Sequence, residues 1–217
     1  MLNKALAKLT GRGGADAEHS LGKGLGTTPP VGGVAKLISS SGRVGLPLLQ
    51  RMATTVSRED FIRFMQRPVL AGSGIHHGSL AAASVAGPRE LNRTVLFEPV
   101  EDAPDGPSAS ESLRHAIYPL VKGEFAASAG AFFSIGRIDT NDFIIPDYAI
   151  SKRHALIEVR GEDYLLKDCG STNGTTLDGE RLQVKPARLY DGALVSFARY
   201  EFSFLSPGTL YGMLKQE

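Results

Sequence analysis

From about Leu113 onward the chain alternates short apolar runs with tight-turn dipeptides, and this rhythm leaves few folds open. In Ala155–Arg160, the side chains of Ala155, Ile157 and Val159 share one face; near the C-terminus, Tyr200, Phe202 and Phe204 alternate with Glu201 and Ser203. Period two is the pattern of a half-buried strand. Residues 117–122 and 131–135 are further short apolar runs, the second leading into Gly136-Arg137. Gly161-Glu162, Asp178-Gly179 and Asp191-Gly192 punctuate them, and the two Asp-Gly pairs favour type I′ hairpins. Short strands with turn signals every ~8–12 residues and no intervening helix specify an all-β fold, an antiparallel sandwich or barrel.

The first half reads differently. Residues 10–46 are dominated by Gly, Ser, Thr, Pro and Ala, a composition that buries too little apolar surface to offset backbone ordering. Leu2, Ala5, Leu6 and Leu9 lie at helical spacing, but over only two to three turns. A better helix covers 57–66: Ser57 caps it with Asp60 three residues on, Phe61, Phe64 and Met65 share a face, and Pro68 stops the run. So short an apolar face must dock on something. The expected division is a basic, disordered tail over 1–56, a short amphipathic helix over 57–67, a flexible linker with an acidic segment over 68–112, a β domain over 113–206 and a short tail over 207–217.

Global charge excludes little, because 24 Lys and Arg face 23 Asp and Glu. The charge is unevenly placed, however. Residues 1–58 hold eight basic and two acidic side chains, whereas 98–111 hold Glu98, Glu101, Asp102, Asp105 and Glu111 with no Lys or Arg. The basic charges are too spread to call for nucleic acid. The one cysteine, Cys169, excludes an intrachain disulfide and a multi-cysteine zinc site, and reads as a small packing residue. No apolar run reaches the ~18–20 residues of a membrane span, and none of signal-peptide length follows Lys4 and Lys8. A reducing, cytoplasmic setting is expected, with no metal and no cofactor.

Three segments carry chemistry: Gly136-Arg137, Ser151-Lys152-Arg153-His154 and Ser171-Thr172-Asn173-Gly174-Thr175. A phosphate ester needs dense, fixed donors, namely backbone N–H groups, hydroxyls and a guanidinium. Loops at one end of a rigid sandwich are good places to hold them. Arg137 follows a strand and a glycine, Ser151 opens the loop before the Ala155 strand, and Asn173-Gly174 tolerates the positive φ that aims adjacent amides into a pocket. In this order and spacing the three segments resemble the forkhead-associated (FHA) domain of bacterial type, a β-sandwich that binds phosphothreonine. The resemblance spans roughly residues 113–206. It implies that Arg137 and Ser151 bind phosphate, that Thr172 adds a phosphate or loop contact, and that Asn173 hydrogen-bonds the ligand backbone. Gly136, His154 and Gly174 match structural positions, with His154 holding loop conformation. Lys152 sits where members often carry Arg or Asn; it keeps the charge of Arg without the bidentate geometry.

The function these residues imply is a phosphothreonine-dependent adaptor in Ser/Thr kinase signalling, not an enzyme. Its partners would be a phosphothreonine protein and the upstream kinase. Thr27, Thr28, Thr54, Thr55 and Thr94 offer self-association through a phosphorylated tail. Two alternatives belong to other classes. One is a phospho-independent scaffold. The other is a hydrolase built on Ser151 and His154, for which no nucleophile elbow or orienting acid is evident. His76-His77 reads as loop, and residues 22–27, although glycine-rich, lack the register of a phosphate-binding loop.

Overall fold

Phe202 and Phe204 alternate with Ser203 and Leu205 along the last strand, and both faces of that strand are buried. This double burial organises the molecule. The computed structural model describes residues 32–75 and 113–215; the helix suggested near Leu2, the acidic run at 98–111 and His76-His77 lie outside them.

Eleven strands form among the described residues: β1 Val69–Gly72, β2 Ile117–Pro119, β3 Phe132–Gly136, β4 Phe143–Ile144, β5 Ala155–Arg160, β6 Asp163–Asp168, β7 Thr175–Leu177, β8 Glu180–Arg181, β9 Ala187–Arg188, β10 Leu194–Phe197 and β11 Tyr200–Leu205. One sheet has the order β2-β1-β11-β10-β7-β8, the other β4-β3-β5-β6-β9. Strand pairing is antiparallel except between β3 and β4, where Ile135 pairs with Phe143 in parallel. The mainly antiparallel sandwich expected from the alternation is therefore present. Leu70, Tyr118, Phe133, Ile135, Ile157, Leu166, Val195, Phe197, Phe202 and Phe204 fill the space between the sheets. Rings join the two layers, as in Tyr164 against Phe204 with centroids 5.2 Å apart. Each such side chain contributes about 1.5–3 kcal/mol on leaving water.

The helical layer was legible only in part. Helix α2 (Arg58–Met65) forms where expected, with Ser57 Oγ accepting the Asp60 N–H at 3.1 Å. Its apolar face docks within the chain. Phe61, Phe64 and Met65 join a second core with Val69 and Ala71 of β1, Ile117 of β2 and Leu205 of β11. Two further helices complete this core. Helix α1 (Leu46–Thr55) buries Leu46, Leu49, Met52 and Ala53, and α3 (Pro207–Lys215) buries Leu210, Tyr211 and Leu214. The Phe61 and Tyr211 rings meet with centroids 5.4 Å apart.

The expected division of the chain is corrected at three places. Residues 46–55, read as tail, are helix; Val69–Gly72, read as linker, is a strand; residues 207–215, read as tail, are helix. Strand β1 lies between β2 and β11, with Val69 opposite both Pro119 and Leu205. It cannot be a linker because its backbone completes two ladders and its side chains feed both cores. The cause of the misreading is local: four residues buried on both faces, Val-Leu-Ala-Gly, show no alternation.

Turn chemistry also divided. Asp178 and Gly179 have φ of 51° and 83° and join β7 to β8, the type I′ signature. Gly161-Glu162 closes the β5–β6 hairpin. Asp191-Gly192 is not a hairpin; it carries the chain from β9 in one sheet to β10 in the other. The β10–β11 hairpin instead turns through Ala198-Arg199, with Ala198 at φ 53°.

Candidate functional site

Three loops at one end of the sandwich bring the sequence-nominated residues together. The first leaves β3 at Gly136. A Cβ at Gly136 would lie 2.3 Å from the Lys152 carbonyl oxygen and 2.6 Å from Asn141 Nδ2, so only glycine lets the first two loops approach. Asn141 fastens the same junction by donating from Nδ2 to the carbonyls of Lys152 (2.7 Å) and Ile138 (2.9 Å). The Arg137 N–H donates to the Ser151 carbonyl at 3.1 Å, and its Nε donates to the Ile150 carbonyl at 3.2 Å. Its terminal nitrogens form no ion pair among the described residues. The guanidinium lies over the Tyr148 ring, 5.0 Å from the centroid.

The second loop, 145–154, is held from within and from β11. Asp147 accepts hydrogen bonds from the Ala149 N–H (2.7 Å), the Tyr200 hydroxyl (2.7 Å) and the Arg199 guanidinium. Burial pushes the Asp147 carboxyl up, but these donors outweigh it and hold the group below the ordinary carboxylate value. Lys152 and Arg153 at the far end of the loop are exposed.

The third loop, 169–174, is organised by Asp168 at the end of β6. Its Oδ1 accepts the N–H groups of Gly170 (2.8 Å) and Ser171 (2.9 Å), and its Oδ2 accepts the hydroxyls of Ser171 and Thr175, both at 2.6 Å. Burial opposes ionisation of Asp168, yet four donors lower its carboxyl below the usual value. Ser171 Oγ also accepts the Gly174 N–H at 2.9 Å, and Gly174 takes φ 84°. The turn is thereby locked before any ligand contacts it.

Two hydrogen bonds join the second and third loops. The Thr172 N–H donates to Ser151 Oγ at 3.1 Å, and Asn173 Nδ2 donates to the Ala149 carbonyl at 2.7 Å. Beneath them lies fully buried His154. The Ser151 N–H donates to Nδ1 at 3.1 Å, so Nδ1 is the acceptor and Nε2 carries the proton it gives to the Gly174 carbonyl at 3.1 Å. Burial lowers the His154 pKa, against the raising influence of the Gly174 carbonyl and Asp168. A second proton on the ring would face the Ser151 N–H, donor against donor.

Arg137, Ser151, Thr172 and Asn173 thus converge on one rim, with Lys152 exposed beside it and Gly136, His154 and Gly174 beneath. The nucleophile–base pair does not assemble, because His154 uses both ring nitrogens on backbone groups, the Ser151 N–H and the Gly174 carbonyl, and leaves none to accept the Ser151 hydroxyl proton. Sequence reasoning missed Asn141, Asp147, Tyr148 and Asp168. Asp168 left a signal: an aspartate two and three residues before Gly170 and Ser171 is an Asx-turn pattern. Tyr148 and Asn141 left none, since the Arg137 guanidinium and the Lys152 carbonyl they meet each lie on another loop, eleven residues away.

Among the described residues no group of three metal-ligating side chains occurs, and no helix is long and apolar enough to cross a membrane. The chain is 46% identical over 72 residues to the FHA domain-containing protein FhaB of Mycobacterium tuberculosis, covering 30% of this chain and 46% of FhaB. It is 30% identical over 94 residues to the transcriptional regulatory protein EmbR of the same species, covering 43% of this chain and 24% of EmbR. The glycogen accumulation regulator GarA of Mycolicibacterium smegmatis is 25% identical over 161 residues, covering 70% of this chain and 80% of GarA. The chain therefore spans about a quarter of EmbR and under half of FhaB. Among solved structures, Mycobacterium tuberculosis EmbR in complex with a low-affinity phosphopeptide is similar at 31% identity and a TM-score of 0.34, covering 36% of this chain and 20% of that one. The family model for the FHA domain matches residues 133–198, from β3 through β10, a stretch that contains all three loops. Residues 133–198 of this chain are an FHA domain.

Proposed function

We propose that this chain is a phosphothreonine-dependent protein-binding adaptor acting in Ser/Thr kinase signalling, and that it catalyses no reaction. Arg137, Ser151, Lys152 and Thr172 hold the phosphate, and Asn173 bonds the ligand backbone. The observation that carries this reading is the joining of the loops: Thr172 N–H on Ser151 Oγ and Asn173 on the Ala149 carbonyl, beside an Arg137 whose terminal nitrogens have no ion-pair partner among the described residues. Hydrogen bonds to a charged group contribute about 1.5–3 kcal/mol each. Three or four of them, less the cost of association, correspond to roughly micromolar binding.

The test is calorimetric titration of the full chain with a phosphothreonine peptide library and its unphosphorylated counterpart. Binding that requires phosphate and falls at least tenfold in Arg137→Ala is expected. Equal affinity of wild type and variant would sink the reading, and indifference to phosphate would favour the scaffold alternative. Self-association through a phosphorylated tail rests on Thr27, Thr28 and Thr94, which lie outside the described residues. Thr54 and Thr55 do not support it. They sit in the last turn of α1 with both hydroxyls donating to the Arg51 carbonyl at 2.8 Å, so their capture as an extended ligand requires α1 to unwind.

A further inference from the structure

Tyr148 is 88% exposed, and no hydrogen bond of its hydroxyl occurs among the described residues. An aromatic ring so open to water at the rim of an anion site needs a reason. The residues around it are tightly held. Asp147, its predecessor, is fixed by Ala149, Tyr200 and Arg199; the Ile150 N–H donates to the Asp147 carbonyl at 3.0 Å; the Ala149 carbonyl is taken by Asn173. The backbone that carries Tyr148 is therefore set by contacts to Tyr200, Arg199 and the third loop, and from it the ring takes one place in the structure. That place is beneath the Arg137 guanidinium, 5.0 Å from centroid to Cζ.

We propose that Tyr148 is a positioning residue that fixes the Arg137 fork for phosphate; this rests on the phosphothreonine reading of the site. Arg137 has two anchors, each insufficient alone. The Nε–H bond to the Ile150 carbonyl fixes one edge of the guanidinium but leaves rotation about that bond. The ring face restricts this rotation by attraction to the cation, so the two terminal nitrogens are presented together. A preset fork loses less rotamer freedom on binding, and the gain appears as affinity. An aliphatic side chain of similar bulk cannot replace the ring, because it has no negative π face, whereas phenylalanine can.

The experiment compares Tyr148→Phe, Tyr148→Leu and Tyr148→Ala with wild type in the full chain. Affinity is measured for a phosphothreonine peptide and for O-phosphothreonine alone, and hydrogen exchange of the Arg137 Nε–H is followed by NMR. An exposed cation–π contact corresponds to about a two- to fivefold change in affinity. The expected result is that Phe stays within twofold of wild type, while Leu and Ala lose about two- to fivefold for both ligands and exchange the Nε–H faster. Leu matching Phe overturns the proposal. So does a loss confined to the longer peptide, which would make Tyr148 a contact for flanking residues. A wild type that binds neither phosphorylated ligand overturns the reading of the site, and the proposal with it.

Discussion

A methyl group at Gly136 would have to share space with the Lys152 carbonyl oxygen, 2.3 Å from its carbon. Either β3 or the loop ahead of His154 must shift, and both carry proposed ligand contacts. Gly136→Ala should therefore cost about 1–3 kcal/mol of stability and weaken phosphopeptide binding in the same titration that tests Arg137. His154 gives a second residue-scale prediction. Its pKa in the fold lies below the unfolded value near 6.5, so the unfolded chain binds more protons in that window. The stability it contributes is complete above about pH 6.5 and is lost as pH falls toward the folded pKa. The urea midpoint should drop between pH 7.5 and 5.5, and His154→Gln, though less stable, should show a smaller drop. Asp142, Asp147, Asp168 and Asp191 do not enter that window, because all four sit below their ordinary value. Ser203 supplies the third. Its hydroxyl is buried beneath the helical layer with no hydrogen-bond partner among the described residues, so Ser203→Ala should stabilise by about 1 kcal/mol, read as a raised urea midpoint.

Among the elements, α3 shows how one side chain can set a boundary. Ser206 accepts the Thr209 N–H at 3.2 Å in the manner of an N-cap, and Pro207 follows at the first helical position. Asp191, at the crossing between sheets, then accepts the Ser206 N–H (2.7 Å), the Ser206 hydroxyl (2.8 Å) and the Thr209 hydroxyl (2.6 Å). Asp191→Ala should cost about 1 kcal/mol and speed amide exchange over residues 207–215, while leaving the ligand loops unchanged. The same aspartate explains why its Asp-Gly pair misled. Local turn preference is satisfied by Gly192 at φ 92°, but the carboxylate has been recruited to hold a helix. Helix α2 was legible because its cap and its apolar spacing lie within ten residues. Helix α1 carried a signal too, in Leu46, Leu49, Met52 and Ala53, but the Gly- and Ser-rich run before it dominated the composition.

At the scale of the molecule, the matched segment is smaller than the structure it depends on. Strands β1, β2 and β11 lie outside residues 133–198, yet they carry Leu70, Tyr118, Phe202 and Phe204 into the core behind the loops. A fragment comprising 113–217 retains every proposed ligand residue but lacks β1. It leaves β2 and β11 unpaired along the edges β1 fills and strips Phe61, Phe64 and Met65 from the second core. Such a fragment should bind a hydrophobic dye and unfold at markedly lower urea than the full chain, and restoring residues 32–75 should reverse both. A fragment as stable as the full chain would show that the helical layer is dispensable.

What the sequence alone determined was whatever depends on near neighbours: the strand alternation of β5 and of β11, the Asp178-Gly179 turn, the Ser57 cap, and the three short motifs whose order identifies the loops. Tertiary structure decided what depends on residues far apart. It placed β1 between strands more than forty residues downstream, closed the apolar face of α2 within the chain, and set Tyr148 beneath Arg137. The physical reason is common to all three. A backbone ladder, a docked helix and a stacked guanidinium are each completed by a partner whose position exists only once the chain has folded, and no local pattern of residues encodes that partner.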